Sequence, residues 1–284
     1  MTSSSELDPS ALRVRIDLGY DGTGYAGWAR QPTLPTIQGE LERALTQIDD
    51  RIGSVVCAGR TDAGVHARSQ VVHVDIPGDV WAGRGPDGLV HQLNRFTGPQ
   101  IYVRTAQAAP NGFDARFSAL SRAYSYRLCD DHNAWDPLFR QWVTLHRRPL
   151  DAAAMALAAP ELVGEHDFAA FCRPREGAST VRRILRLDVY RDGGRRVVVT
   201  VESDAFCHSM VRSLVGALVA VGEGRKDPEW PGRVLRTGRR DPGVMVMPPQ
   251  GLILESVAYP PDELVAERAE VTRAFRGAPE PTSG

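Results

Sequence analysis

Two successive stretches of this chain carry the same order of predicted strands and helices, and this repeat constrains the fold more than any other feature. Strands are predicted where apolar and polar residues alternate, and helices where apolar residues recur at helical spacing. In the first stretch the order is β-α-β-β-α-β, the split βαβ arrangement. Its predicted elements are strands at 12–20, 54–60, 69–75 and 101–108, a helix at 37–48 capped by Thr36, and a helix at 86–96.

The second stretch repeats this order. The turn Asp192-Gly193-Gly194 is typical of a hairpin between two paired strands. The predicted elements are strands at 121–129, 181–190, 195–203 and 252–259, and helices at 150–162, 206–221 and 228–236.

We therefore predict an α+β fold in which two ferredoxin-like βαββαβ halves form an extended, mostly antiparallel sheet with a central cleft. The halves are expected at 12–112 and 113–260. Residues 1–11 are rich in serine, and residues 261–284 are charged and end in Pro, Ser and Gly. These compositions favour a disordered N-terminus and a flexible C-terminal tail.

The composition is that of a globular protein without a membrane segment. Of the 284 residues, 42% are hydrophobic, which is enough for substantial cores. No apolar run approaches the length needed to cross a bilayer, and the opening Met1-Thr2-Ser3-Ser4-Ser5 lacks the basic and apolar regions of a signal peptide. We therefore expect a soluble, cytoplasmic protein.

The cysteines and histidines show no pattern of a metal or redox site. Neither the four cysteines nor the seven histidines have the spacing of a known ligand motif. We therefore expect no metal and interpret the cysteines as reduced packing thiols. They are Cys57, Cys129, Cys172 and Cys207.

An aspartate between two glycines is the strongest candidate for chemistry. Asp62 lies between Gly59 and Gly64, directly after an apolar run. Glycine allows sharp turns and close approach to a ligand, so Asp62 is suited to face a cleft. Arg60, two positions earlier, would share its side of an extended chain and orient the carboxylate by charge-assisted hydrogen bonds. An ordinary polar turn with a surface ion pair explains the same residues equally well.

Arginine supplies nearly all of the positive charge. Lys226 is the only lysine, and the net charge is −1. A guanidinium suits phosphate and base recognition, which favours a nucleic-acid partner, whereas a codon bias toward arginine on solvated faces is the alternative. The clusters are Arg116, Arg122 and Arg127, and Arg173, Arg175, Arg182, Arg183 and Arg186.

The segment Gly22–Gly27 fits the dinucleotide-binding pattern G-x-G-x-x-G, but no helix is predicted to begin within it. Because that pattern needs a helix N-terminus at the pyrophosphate, we reject a cofactor site. A loop that carries Tyr25, Trp28 and Arg30 is the better description, and such side chains can stack on bases.

Two further patterns allow either a structural or a functional interpretation. Arg122, Tyr124 and Tyr126 occupy alternate positions of one strand and so share a face, and tyrosines on a strand are usually packing residues. Arg212 lies in an apolar helix, where burial would require a carboxylate partner. The alternative is that Arg212 faces a polar stripe, formed with His208, Ser209, Ser213 and Gly216.

Taken in order, these segments closely resemble the tRNA pseudouridine synthase A family from about Leu12 to Tyr259. The most specific segment is Gly59-Arg60-Thr61-Asp62-Ala63-Gly64-Val65-His66. Departures from the family pattern occur at Ala29, where glutamine is common, and at 94–99, where Asn-x-x-Leu-Pro is usual. The other matching segments are 19–23, 27–28, 36–41, 113–119, 166–171 and 206–212.

The resemblance implies isomerisation of uridine to pseudouridine at positions 38, 39 and 40 of the tRNA anticodon stem-loop, by a homodimer without metal or organic cofactor. It implies Asp62 as the nucleophile, with Arg60 and Arg212 as cationic neighbours. It also implies that Tyr124 stacks on the base, with a role as general base. We expect a further set of residues to contact the RNA: Arg30, His66, Arg116, Arg173 and Arg182.

Two other functions fit parts of the sequence. A non-catalytic tRNA-binding or RNA-folding protein would explain the arginines and the aromatic loop without Asp62. A glycosidase would need a second acid near Asp62, and the sequence shows no paired acidic motif.

Overall fold

The structure is a computed structural model that describes residues 11–173, 177, 179–193 and 195–277, apart from the side chains of 275–277. Ten strands in this part of the chain form one sheet. The strands are β1 (Leu12–Tyr20), β2 (Val56–Cys57), β3 (His66–Ile76), β4 (Ile101–Ala108), β5 (Ser121–Cys129), β6 (Thr144–Leu145), β7 (Gly164–Asp167), β8 (Val181–Asp192), β9 (Arg196–Ser203) and β10 (Leu252–Ala258). The α-helices are α1 (Ile37–Ile48), α2 (Gly78–Phe96), α3 (Ala152–Ala158), α4 (Met210–Gly222), α5 (Trp230–Thr237) and α6 (Val265–Gly277).

The strand order of the sheet is β4-β1-β3-β10-β5-β9-β8-β7, with β2 paired to β3 and β6 to β5. Apart from the β3–β10 and β5–β6 pairs, which are parallel, the pairs in the described residues are antiparallel. The predicted α+β fold with a mostly antiparallel sheet is confirmed. The division into two ferredoxin-like units remains our interpretation of this strand order.

The two halves of the chain meet where β3 and β10 pair. Ile253 lies opposite His66, and Leu254 opposite Ala67. On its other edge, β10 pairs Leu254 with Tyr124 of β5. The beginning of β3 and the middle of β5 are therefore only one strand apart. The loop 58–65, which leads into β3, lies beside this joint between the halves.

Helix α1 forms as its sequence predicts. The Gly39 N–H donates a hydrogen bond to the Thr36 hydroxyl at 3.2 Å, which caps the helix. Ile37, Leu41 and Leu45 are buried and lie on one helical face. Burial of each such side chain contributes about 1.5–3 kcal/mol to folding.

Helix α4 lies inside the second half. Every residue from Met210 to Gly222 is buried except Arg212. Gly216 leaves no room for a Cβ atom because the backbone of Met245 passes directly against it. Since Ser213 and Gly216 are interior, the predicted polar stripe along this helix is wrong.

Several elements differ from their predicted bounds. Helix α2 begins earlier than predicted and changes direction where Gly85 adopts a φ of 64°. Helix α4 begins later, because Ser209 has a left-handed φ of 63° that ends the preceding loop. The predicted helix at 150–162 consists of α3 and a 3₁₀ turn, and β6 and β7 are not among the predicted strands. The predicted hairpin joins β8 and β9, although Gly194 lies outside the described residues.

The prediction that all four cysteines are reduced thiols is wrong for one pair. Cys172 and Cys207 form a disulfide with their Cα atoms 5.7 Å apart. Folding brings together two residues 35 positions apart, which spacing along the chain does not indicate. Cys57 and Cys129 are free and buried, as predicted.

The predicted flexible tail is instead helical up to residue 277. Helix α6 packs on the segment between β4 and β5: Val265 and Ala269 are buried, and the Ser118 hydroxyl donates to the Val265 carbonyl at 2.8 Å. The sequence does not indicate this helix because it is mostly charged and has too few apolar residues to show a clear helical spacing. Residues 278–284, and the predicted disordered residues 1–10, lie outside the described residues.

The helices that the structure describes lack the length and apolar character that crossing a bilayer requires.

Asp114 attaches α6 to the segment between β4 and β5. Its carboxylate accepts hydrogen bonds from the Arg116 and Phe117 N–H groups at 2.9 Å each and from the Arg273 guanidinium at 2.8 Å. Burial alone would raise the pKa of Asp114, but these donors hold it below the ordinary value of 3.8. We expect Asp114→Asn to lower the free energy of unfolding by about 1 kcal/mol at neutral pH.

The pH dependence of that loss provides the test. Because the pKa of Asp114 is lower in the folded state, its contribution is complete above the unfolded pKa and disappears as the pH falls through the folded pKa. In urea denaturation, the difference between wild type and Asp114→Asn should shrink from about pH 6 to about pH 3. Asp87→Asn, at an exposed position of α2, is the control. A difference that does not change with pH would contradict this role of Asp114.

Candidate active site

The loop 58–65, which carries Asp62, is fixed by main-chain hydrogen bonds to the loop after β1. The Trp28 N–H donates to the Thr61 carbonyl at 3.0 Å, and the Gly64 N–H donates to the Tyr25 carbonyl at 3.3 Å. Gly64 adopts a φ of 75°, a left-handed value that favours glycine. The turn predicted around Asp62 is therefore present, and a second loop supports it.

Buried polar side chains anchor the same loop to the sheet. The Tyr20 and Thr61 hydroxyls are 2.8 Å apart, and the Gln70 amide donates to the Gly59 carbonyl at 2.7 Å. Gln70 is completely buried. Since a buried polar group without a partner costs about 1–3 kcal/mol, these contacts favour one position of the loop.

The Asp62 carboxylate is 30% exposed and faces the beginning of α4, in the other half of the chain. Its Oδ2 atom is 3.3 Å from Arg212 Nη1 and accepts a hydrogen bond from the Ser209 hydroxyl at 3.4 Å. Its Oδ1 atom is 3.5 Å from His208 Nε2. A helix N-terminus also attracts an anion. Donors from the second half therefore orient a carboxylate of the first half.

Arg212 is held in place by main-chain contacts. Its Nε donates to the Met247 carbonyl at 2.6 Å, and the Met247 N–H donates to the Arg212 carbonyl at 3.1 Å. The side chain is only 18% exposed. Of the two interpretations of this arginine, the structure supports the one in which a carboxylate, Asp62, offsets its burial.

Tyr124 lies beside the Asp62 loop and is 7% exposed. Its hydroxyl is 3.9 Å from the position that a Cβ atom on Gly59 would take, and its ring meets Phe206 edge-on at 5.1 Å between centroids. Burial raises the pKa of Tyr124 above its ordinary value of 10, while the Arg122 charge opposes this rise and the Asp62 charge adds to it. Its hydroxyl is therefore protonated at neutral pH.

Arg60 does not orient Asp62 as predicted. It is exposed, and within the described residues the ion pairs of Asp62 are with Arg212 and His208. That prediction requires an extended chain, in which side chains two residues apart lie on the same side. The segment 58–65 is a loop, so this periodicity does not apply.

His66 is buried, which argues against the predicted RNA contact. The Gly22 N–H donates to its Nδ1 at 3.0 Å, and its Nε2 lies 2.7 Å from the Gln141 carbonyl. Asp21 Oδ1 is also 3.0 Å from Nδ1. Both ring nitrogens are thus occupied within the protein. His66 ties the loop after β1 to the segment before β6.

The arginines that are predicted to contact RNA have different surroundings, and their described hydrogen bonds do not join them to one another. Arg30, Arg116 and Arg173 are exposed; Arg30 pairs with Glu42 at 3.4 Å. Arg182 is half-buried, burial lowers its pKa, and its guanidinium donates to the carbonyls of its own segment. Arg175 lies outside the described residues.

Comparison with known proteins assigns the family. Residues 158–260 match the family described as tRNA pseudouridine synthase. The chain is 57% identical to the tRNA pseudouridine synthase A of Frankia casuarinae over 95% of this chain and 98% of that one. It is 49% identical to the protein of the same name in Streptomyces avermitilis over 97% of this chain and 98% of that one, and 42% identical to that of Mycobacterium leprae over 94% and 96%. The chain belongs to the tRNA pseudouridine synthase A family.

In this member of the tRNA pseudouridine synthase A family, the side chains that contact Asp62 are basic or hydroxylic. A glycosidase would need a second carboxyl group here, and the described contacts include none. Nor does the described part of the chain contain a group of three or more histidine, cysteine or acidic residues placed to hold a metal ion.

Several residues of the site were not singled out from the sequence. His208 and Ser209 contact Asp62, yet within the matching segment 206–212 only Arg212 has an implied role. Ser209 is the only described residue other than glycine with a positive φ. Because all seven residues 206–212 match the family, the match could have indicated a role for His208 and Ser209 as well as for Arg212. Gln70 and Met247 had no such signal.

Gly27 and Gly24 provide a matched test of how the Asp62 loop is held. Both have positive φ values, 100° and 81°. A Cβ atom on Gly24 meets nothing within 4 Å, but one on Gly27 would stand 2.9 Å from the Thr61 carbonyl. In urea denaturation we expect Gly24→Ala to cost about 1 kcal/mol from backbone strain alone. Gly27→Ala should cost about 3 kcal/mol because the loop must also move. Equal losses for the two variants would show that the close approach is unimportant.

Proposed function

We propose that this protein isomerises uridine to pseudouridine in the anticodon stem-loop of tRNA, at positions 38, 39 and 40. The observation that carries the proposal is the partly exposed Asp62 carboxylate, which Arg212 and Ser209 orient across the joint between the halves. The near full-length similarity to proteins named tRNA pseudouridine synthase A supports the substrate.

The reaction moves the base from one attachment to another without a net change in composition. The N1–C1′ bond breaks, the base turns, and a C5–C1′ bond forms. One proton leaves C5 and one is added at N1. A carboxylate can act as a nucleophile toward the uridine or stabilise positive charge that develops on the sugar. Asp62 would take this role, with its oxygens held by the donors at the beginning of α4.

The uridine must leave the stack of the stem-loop to reach Asp62. Flipping a nucleotide costs a few kcal/mol, which contacts in the cleft must offset. Tyr124 borders Asp62 and would contact the flipped base through its ring, with its hydroxyl oxygen near the C5 proton. His208, whose side chain is 45% exposed, faces the same carboxylate.

Exposed arginines would bind the RNA backbone. Arg30, Arg116 and Arg173 are exposed, and Arg60 extends from the Asp62 loop itself. Guanidinium groups suit phosphate, and such contacts weaken as salt increases. Arg182 is less suited, since its Nη1 and Nη2 groups already bond to main-chain carbonyls and its Nε is buried.

The resemblance to the family also supports a cytoplasmic homodimer that needs no cofactor. A mass measurement in solution decides the oligomeric state, and a strict monomer would contradict it.

Asp62→Asn tests the enzymatic proposal. The amide keeps the size of the side chain but removes its charge and nucleophilicity, so we expect kcat to fall by more than about 10⁴-fold. Release of tritium from tRNA labelled at uridine C5 measures the reaction directly, because the C5 proton is lost. Asp50→Asn, at an exposed position after α1, is the control.

The same variant separates the enzyme from a non-catalytic tRNA-binding protein. The arginines on the surface favour that second candidate, which predicts that Asp62→Asn retains every effect of the protein in cells while Arg173→Ala weakens tRNA binding. Wild-type turnover by Asp62→Asn would refute the catalytic role.

Tyr124→Phe tests whether the hydroxyl takes part in proton transfer. The variant keeps the ring but removes the oxygen, so we expect kcat to fall by about 10²–10⁴-fold with little change in KM. Because the pKa of Tyr124 lies above 10, its phenolate fraction increases with pH, and the wild-type rate should rise between about pH 7 and about pH 9. Phenylalanine should abolish this rise. A Tyr124→Phe enzyme with the wild-type rate would limit Tyr124 to contact with the base.

A further inference from the structure

Arg122 is a buried cation whose described contacts include no carboxylate. It lies on β5, two residues before Tyr124, and is 5% exposed. Its guanidinium donates to main-chain carbonyls: Nη2 to Ala58 at 2.8 Å and to Arg116 at 2.7 Å, Nε to Ala58 at 3.3 Å, and Nη1 to Asp204 at 2.7 Å. Burial lowers its pKa. A cation placed in the interior in this way requires all of its hydrogen bonds to be satisfied.

The three acceptors of Arg122 belong to segments that are far apart in the sequence. Ala58 begins the loop that carries Asp62. Asp204 begins the segment that leads to His208 and Ser209 ahead of α4. The third acceptor lies in the segment 113–119, which packs under α6. One side chain therefore binds both segments that form the site. Ala58 lies four residues before Asp62, and Asp204 lies a few residues before His208 and Ser209.

The side chain of Asp204 forms no described ion pair with Arg122, although its charge lies near enough to oppose the lowering of the Arg122 pKa by burial. Its Oδ1 accepts hydrogen bonds from the N–H groups of Arg183 and Ala205, at 2.9 and 2.8 Å, and from the Ser203 hydroxyl at 3.1 Å. Arg122 thus contacts the main chain at this point. Its planar fork of donors can reach three carbonyls at once, whereas the single ammonium of lysine cannot match that geometry.

We propose that Arg122 is a positioning residue for the isomerisation: it sets the Asp62 loop against the beginning of α4 so that Asp62 meets Arg212 and Ser209. This inference rests on the proposed function. A displacement of about 1 Å between reacting groups can reduce a rate about 100-fold, so loss of this tie should affect turnover more than binding. Arg30 and Arg173, two of the exposed arginines that would bind tRNA, are not among the described contacts of Arg122, so binding should be retained better than turnover.

Arg122→Lys is the principal test, since it keeps the buried charge and loses the three-way contact. We expect kcat, measured by tritium release from uridine C5, to fall about 100-fold while KM for tRNA changes less than about threefold. Addition of guanidinium ions to Arg122→Ala should restore at least about tenfold of the lost rate, because the ion can occupy the vacated site.

Arg191→Lys is the control for Arg122→Lys. Like Arg122, Arg191 donates to a main-chain carbonyl, that of Leu150; unlike Arg122, it also pairs with a carboxylate, that of Asp130, and it lies on β8 away from Asp62. We expect it to reduce stability and leave kcat unchanged. A purely structural role of Arg122 would make the two arginines behave alike.

Amide hydrogen exchange tests the same inference without activity. In Arg122→Lys, exchange in the loop 58–65 should become at least about tenfold faster, while exchange in α3 stays unchanged. Wild-type kcat together with wild-type exchange in a folded Arg122→Lys protein would overturn the inference. If wild-type protein fails to form pseudouridine, the proposed function is wrong, and the exchange measurement alone then decides whether Arg122 positions the loop.

Discussion

The contact between the Asp62 carboxylate and the beginning of α4 is the interaction on which the site depends. The carboxylate comes from a loop of the first half, and Arg212, Ser209 and His208 come from the second. Neither half contains the complete arrangement. The parallel pairing of β3 with β10 is what brings the two halves into register, so the geometry of the sheet sets the geometry of the site.

Main-chain carbonyls, rather than carboxylates, receive many of the buried donors around this contact. Gln70 donates to Gly59, Arg122 to Ala58, and Arg212 to Met247. A bond to the main chain fixes the course of a loop, whereas a bond between two side chains fixes only their ends. Because a buried donor without its acceptor is costly, each of these bonds strongly disfavours other loop positions. The result is a preorganised carboxylate, as a reaction at a flipped nucleotide requires.

Much of the fold could be predicted because the signals are local. β4 and β5 occupy the predicted residues, and α1 begins at its predicted cap. The predictions that are wrong concern contacts between residues far apart in the sequence. Helix α6 is charged, and it is ordered because Asp114 and Ser118 of a distant segment bind it. Cys172 and Cys207 meet only after folding. Arg60 is not among the described ion-pair partners of Asp62, because the segment is a loop and not a strand.

The sequence by itself determined the family, the α+β class and the identity of the central carboxylate, because a string of glycine, arginine, threonine and aspartate residues around Asp62 is recognisable without coordinates. Only the tertiary structure decided which groups serve that carboxylate. Ser209 and Arg212 contact Asp62, which lies about 150 positions earlier in the sequence. His66 is buried, and both of its ring nitrogens have partners within the protein. The physical reason is that hydrogen bonds require atoms within a few ångströms, and the pairing of strands from the two halves is what provides that proximity.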